Sequence, residues 1–431
     1  QPPMVRSMLG ESVARLPLPQ LAQLAILPAL QFHLPPEARW NFRVILTHWV
    51  LAGVFTGVIG SYLAVVARRL GADEVTVALV FAGQFVGGML AISGPFLLRS
   101  IPPVRAVSVL WAVARLAFVA ALFIDSAGPY LAMVLTWALI AMFGVPLYVG
   151  VMQAAFSPPL RGRVIGVVQG SMAIVVLVVA PLSGALMDTV GYGPVFAGAG
   201  IVGAIGATAL LRVRVKPAPR YTYSSPWQMF HSTISNHRFR RYVSCTTIGL
   251  FGEFLLMPTI AVVLVDTFNA SFAVIGILAM IQGITWAGGY LLWGVISDRK
   301  SGPFVVWMGT FLKMVVAAIF VIAILVENVW LLVPAYAAVG LNFASGDLGW
   351  QTSMAALARP EEVDAFSTSF WLILGALGVV GPLLGAAILV TGGPIAGFAC
   401  AFGLAAIGSL LVGRLTRGFV PVDETGTSAS L

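Results

Sequence analysis

The sequence predicts an all-α membrane protein: twelve transmembrane helices arranged as two pseudo-symmetric six-helix bundles. Three observations carry that prediction. Of the 431 residues, 59% are hydrophobic and only 9% are charged, against roughly 25% charged in ordinary soluble domains. The apolar residues fall in runs of helical length, not in the alternating stretches of about ten residues that a closed β-barrel shows. The first half of the chain also recurs in the second.

A bilayer core about 30 Å thick needs about 20 apolar residues per helix. On that measure spans are expected at 43–66, 76–98, 104–124, 130–154, 164–187 and 194–212, then at 242–266, 273–296, 304–326, 329–355, 366–390 and 394–413. The stretch from Leu16 to Leu34 is also apolar, but Pro17, Pro19, Pro28, Gln20, Gln23 and Gln31 interrupt it. It is expected to lie along the headgroups as an interfacial segment. No small-residue cleavage site follows a basic start and apolar core there, so a cleaved signal peptide is not expected.

Of the 24 Lys and Arg residues, all but Arg68, Arg69, Arg115 and Lys313 lie on the side of the membrane that holds the N-terminus. The opposite side carries Asp73, Glu74, Asp125, Asp188, Asp266 and Glu327. Basic residues are retained on the cytoplasmic face. Both termini are therefore expected in the cytoplasm, with the protein multi-pass in the cell inner membrane. The net charge of +8 then marks topology and not a nucleic-acid surface. Cys245 and Cys400 read as small core residues; two cysteines make neither a disulfide framework nor a metal site.

Sliding the chain by about 200 residues superposes Gly83 on Gly283, Gly88 on Gly288, Gly94 on Gly294, Arg99 on Arg299 and Pro103 on Pro303. One further residue of shift brings Val-Val-Ala-Pro-Leu-Ser-Gly-Ala, starting at Val178, onto Val-Val-Gly-Pro-Leu-Leu-Gly-Ala, starting at Val379. With an even number of spans between copies, these are parallel repeats about an axis along the membrane normal. The organisation is an N-terminal segment at 1–40, six-helix bundles at 41–213 and 242–416, a cytoplasmic linker at 214–241 and a tail at 417–431. In the linker Trp227, Phe230, Ile234 and Phe239 recur at roughly helical spacing. It is expected either to rest its apolar side on the membrane surface or to be a plain tether.

Twelve spans, cytoplasmic termini, a parallel six-plus-six repeat and a long central loop resemble the major facilitator superfamily of secondary transporters. Its loop motif after the second helix of each half reads well in Gly294-Val-Ile-Ser-Asp298-Arg299-Lys300-Ser-Gly302. There Gly294 would allow close helix approach, and Asp298 and Arg299 would form a cytoplasmic gate or simply anchor topology. The first copy, Gly94 to Arg99, has Leu98 in place of the acid. The family's antiporter signature is partial: Pro181 and Gly184 stand on the fifth span, and Gly375, Gly378, Gly381, Pro382 and Gly385 on the eleventh. Pro181 and Pro382 are expected to bend their helices. The basic residue that proton-driven drug exporters carry on the fourth span is absent between Tyr130 and Phe156.

An ionisable group inside a span is costly unless paired or hydrated, so each is a functional candidate. Glu253 lies near the midplane of the seventh span, which the resemblance places on a central cavity. It reads as a proton carrier, a substrate ligand or a structural hydrogen-bonding group. His48 on the first span titrates in a range suited to proton exchange, or is a packing residue. Asp347 belongs to the polar patch Asn342-Phe-Ala-Ser345-Gly-Asp347, placed for gating, substrate contact or helix-end solvation. Arg115 and Lys313 occupy equivalent points of the third and ninth spans and are expected to pair with Asp347 or Glu253. Trp49, Trp137, Tyr148, Trp286, Trp293 and Trp350 flank the cavity helices, as stacking surfaces or interfacial anchors.

The loops are too short for an enzyme domain. Neither a phosphate-binding loop with Lys-Ser or Lys-Thr nor a nucleophile-base set is present. No cofactor, metal or nucleic-acid partner is expected. The resulting expectation is a secondary active transporter of a small organic solute working by alternating access, coupled to a proton or another ion. The alternative is a transport-inactive receptor, assembly factor or structural subunit of a membrane complex with the same fold. A monomer and a subunit of such a complex are both compatible with the sequence.

Overall fold

The computed structural model describes residues 35–93, 97–98, 100–215, 226–357 and 363–417. The first half contains α1 (Pro36–Arg69), α2 (Glu74–Leu90), α3 (Pro103–Leu116), α4 (Ala127–Ala155), α5 (Pro158–Val190) and α6 (Tyr192–Ala209). A short helix α7 (Pro226–Ser235) leads into α8 (His237–Val262), α9 (Phe272–Arg299), α10 (Gly302–Val326), α11 (Leu332–Leu357) and α12 (Val363–Arg417). No strand occurs among the described residues.

Ten of the described helices are long and apolar enough to cross a membrane. Two departures from the expected spans have local causes. α2 stops at Leu90 and ends in a 3-10 turn, Ala91–Ser93, instead of running to 98. The Gly94-Pro95 pair follows, and the residue before a proline is pushed out of helical geometry. α12 runs 55 residues, but its backbone breaks at Gly393, with φ 73°. That left-handed conformation suits a residue without a Cβ, and it falls between the two expected spans 366–390 and 394–413. α3 likewise gives way at residue 117 to a 3-10 turn, Ala117–Phe123.

The two halves repeat one packing scheme. α1 packs on α5 and α6, and α3 on α4 and α6, while α2 packs on α4; correspondingly α8 packs along α12, α10 on α11 and α12, and α9 on α11. The halves meet where α5 lies along α9 and α2 along α12. At the seam with α9, small residues bring the chains together. A Cβ on Gly184 would strike the Phe272 carbonyl and the Tyr62 hydroxyl, and one on Gly276 would come within 2.7 Å of Pro181 Cα. Tyr62 donates to the Ala180 carbonyl at 2.5 Å, one residue before Pro181 in the interior of α5.

At the end far from the termini both halves share a single apolar core that includes Tyr62, Phe196, Leu256, Phe272, Ile275 and Phe320. Toward the termini that core divides. Ile45, Val107, Trp111 and Val164 form a cluster in the first half, while Phe239, Tyr242, Phe366 and Phe370 form one in the second. The molecule is thus closed at one end and split at the other. Two of the linker's apolar residues join the second cluster: Phe239 is fully buried against Phe366, with ring centroids 4.8 Å apart, and Ile234 packs beside it. Cys400, expected in the core, is exposed on α12. The interfacial stretch from Leu16 to Leu34, residues 216–225 of the linker and the tail from 418 lie outside the described residues.

Gly276→Leu is expected to overpack the α5–α9 seam and lower stability by about 1–3 kcal/mol. Thermal unfolding of the purified protein in detergent measures this, and an unchanged midpoint would show that the seam tolerates a side chain there.

Candidate functional site

α8, α10 and α11 each present a polar side chain to one point on the inner wall of the second half. Glu253 Oε2 lies 2.8 Å from Lys313 Nζ, and Asn342 Nδ2 donates to the same oxygen at 3.3 Å. The three come from three different helices, so their convergence, and not local sequence, makes the site. The pair is largely shielded: the carboxylate side chain is 22% exposed and the lysine 15%. A charge-assisted contact of this kind is stronger in a low-dielectric wall than in water.

The pair opens on a cavity of about 350 Å³. Among the described residues, all of its lining belongs to the second half. Asp347 lies in the same wall, where its Oδ2 accepts from Tyr290 Oη at 2.6 Å and from Trp286 Nε1 at 3.2 Å. Trp286, Phe343, Trp350, Phe370 and Trp371 supply the apolar surface. Trp350 stacks on Phe370 at 4.7 Å and meets Trp371 edge-on at 6.0 Å.

Glu253, Lys313 and Asp347 are therefore brought together, and the sequence had offered Lys313 both acids as partners. Arg115 differs from its expectation. It donates to the Gly203 carbonyl at 2.8 Å, and its guanidinium lies 5.5 Å from the Phe55 ring centroid and 5.6 Å from that of Trp111. The first half offers it no acid at that depth, so a carbonyl and two ring faces stabilise the charge instead. His48 is also remote from the cavity. It is fully buried, with Nδ1 2.9 Å from the Gly206 carbonyl and its ring stacked on Trp111 at 5.3 Å. Trp49, Tyr148 and His48 form one aromatic knot inside the first half. Trp293 donates to the Leu341 carbonyl and is buried.

Of the expected gate motif, Gly94 and Arg99 and the side chain of Asp298 lie outside the described residues. Arg299 is exposed at the end of α9, and a Cβ on Gly294 would meet nothing within 4 Å. Those open surroundings of Gly294 hold among the described residues. Pro382 is interior to α12, where neighbouring Gly385 lies against the Leu255 carbonyl.

The polar closure lies at the opposite end. Arg68, at the end of α1, reaches Asp266 Oδ1 and Oδ2 with its Nε at 3.1 and 3.0 Å, and Glu74 Oε1 with a terminal nitrogen at 3.0 Å. Arg69 donates to the Ala270 carbonyl and lies 3.7 Å over the Phe272 ring. Asp188 from α5 accepts from the Phe272 and Ala273 amides at 2.9 Å, capping α9 from the other half. An acid at a helix N-terminus satisfies free amides and complements the helix dipole. Sequence reasoning treated these acids and arginines as topology markers. The available signal was that the far side's two adjacent arginines face acids at the ends of spans from both halves.

Lys313→Met is expected to strand Glu253 and cost about 1–3 kcal/mol of stability, and adding Glu253→Gln should recover most of that because a neutral pair needs no counter-ion. Thermal unfolding of the single and double variants tests this. Equal midpoints for wild type and Lys313→Met would remove the pair from the structural argument.

Residues 242–430 match the model of the Major Facilitator Superfamily. No curated protein matches the chain in sequence. Among solved structures, a bacterial homolog of the human lysosomal transporter Spinster, in an inward-facing and occupied conformation, superposes with a TM-score of 0.67 at 14% identity. That alignment covers 90% of this chain and 98% of the other. The nucleoside transporter NupG superposes with a TM-score of 0.64 at 13% identity, over 90% of this chain and all of its own. By sequence, residues 242–430 are thus similar to the Major Facilitator Superfamily, and the chain as a whole shares the fold of these two solved transporters.

Proposed function

We propose that the protein is a secondary active transporter of a small organic solute, working by alternating access, with Glu253 as the group that couples movement to a proton. The observation that carries this reading is the Glu253–Lys313 pair in the wall of an open cavity. A proton taken up by Glu253 would dissolve the pair and leave a bare ammonium in a poorly solvated wall. Proton occupancy and the arrangement of α8, α10 and α11 are then linked, which is the requirement for coupling two fluxes. The far-end closure by Arg68, Asp266 and Asp188, with a divided core toward the termini, supports a resting state open on the terminal side.

The proposed path crosses the membrane twelve times, with α12 counted on either side of Gly393 and α2 as a short crossing, in two six-helix halves joined by the linker. Both termini face the cytoplasm and the membrane is the cell's inner one. A second reading, a transport-inactive receptor or subunit, draws on one observation: the charged lining of the cavity comes from a single half.

Proteoliposomes loaded with a pH-reporting dye test the first reading. A transported solute is expected to drive an internal pH change that Glu253→Gln reduces at least tenfold, while solute-induced thermal stabilisation survives. A pH change of undiminished size in Glu253→Gln would exclude the coupling role. Absence of solute flux from the wild type, with stoichiometric copurifying partners, would favour the second reading.

A further inference from the structure

Resting on the reading of the cavity as a solute site, we propose that it takes an organic cation, an amine or quaternary ammonium on an aromatic or apolar body, with Asp347 as its counter-ion. Three charged side chains line the cavity: Glu253, Lys313 and Asp347. The first two neutralise one another at 2.8 Å. Asp347 has no Lys, Arg or His within ion-pair distance among the described residues. The wall therefore carries one uncompensated negative charge, and a charge at membrane depth calls for a partner.

The geometry of Asp347 fits that role. Tyr290 and Trp286 both donate to Oδ2, which fixes the carboxylate of this cavity-lining residue and leaves Oδ1 without a donor among the described residues. Trp286 and Phe343 meet edge to face at 5.7 Å beside it, and Trp371 is 59% exposed. Aromatic faces carry negative quadrupole potential and attract cations. Acid and rings thus act in the same direction.

The same wall disfavours other solutes. An anion would meet Asp347 with like charge and find Lys313 already engaged. A neutral polyhydroxyl solute needs many hydrogen-bond partners, yet three of the four lining hydroxyls among the described residues are spent internally, Tyr242 Oη being the exception and Trp350 Nε1 a second donor without a partner. Thr246 donates to the Tyr242 carbonyl, Thr310 to the Val306 carbonyl and Ser345 to the Asn342 carbonyl. Asn342 itself donates to Glu253.

Calorimetric titration of the full chain in detergent with benzyltrimethylammonium, benzyl alcohol and benzoate tests this. The cation is expected to bind saturably and at least tenfold tighter than the other two. Asp347→Asn, isosteric and able to keep both protein hydrogen bonds, should lose at least tenfold in cation affinity, with Asp347→Glu retaining part of it. Trp371→Ala, which removes a largely exposed ring that meets Trp350 edge-on, should weaken the cation several-fold while the protein still unfolds cooperatively. Equal affinity for benzyltrimethylammonium and benzyl alcohol, or an undiminished affinity in a folded Asp347→Asn, would overturn the inference. Cation binding without any flux in proteoliposomes would count against the transport reading alone. Solute-driven proton flux that ignores Asp347→Asn would count against the cation site alone.

Discussion

Hydrocarbon gives a charged side chain little to bind, so each charge kept at depth must be neutralised by something the fold supplies. That constraint organises the molecule. In the first half the chain retains Arg115 and answers it with a carbonyl and ring faces. In the second half it retains Lys313 and answers it with Glu253. Nearly equivalent points on the two copies thus carry the same type of charge with different solutions. One is a closed structural contact; the other stands in a cavity wall where water and solute can compete for it.

The division between the halves follows from where the apolar cores fuse. Around Tyr62, Phe272 and Leu256 the two bundles share one interior, and glycines at 184 and 276 let backbone lie against backbone. Toward the termini the cores of the two bundles are separate, and Trp286 and Trp371 are exposed in a cavity lined by the second bundle. Residual exposure of large rings is expensive in water but costs little facing a solute with an apolar body. The cavity's aromatic character and its openness therefore belong to one feature.

Most of the fold was legible in the sequence, because a run of about 20 apolar residues has few alternatives to a membrane helix. Two of the places where regular helix fails, after Leu90 and at Gly393, were marked by Gly94-Pro95 and by Gly392-Gly393-Pro394. Glu253, Lys313 and Asp347 were visible as charges out of place. Their grouping was not, since it depends on the rotation of α8, α10 and α11 about their axes, which an almost uniformly apolar sequence does not encode by periodicity. The same limit hid the isolation of His48 and the carbonyl partner of Arg115. The far-end closure was missed for another reason: Arg68 and Asp266 are 198 residues apart, and at the ends of helices such residues serve topology equally well.

The capping of α9 by Asp188 makes one bundle the chemical terminus of a helix in the other. Were the bundles to part as proposed, the Phe272 and Ala273 amides would lose a carboxylate at the end of a helix, where solvent could take its place, while Ser271 would keep its own bond to Val274 within the helix. Such a contact would exchange one set of acceptors for another without leaving dry amides behind. A contact that strong can lock a resting shape and still be undone thermally.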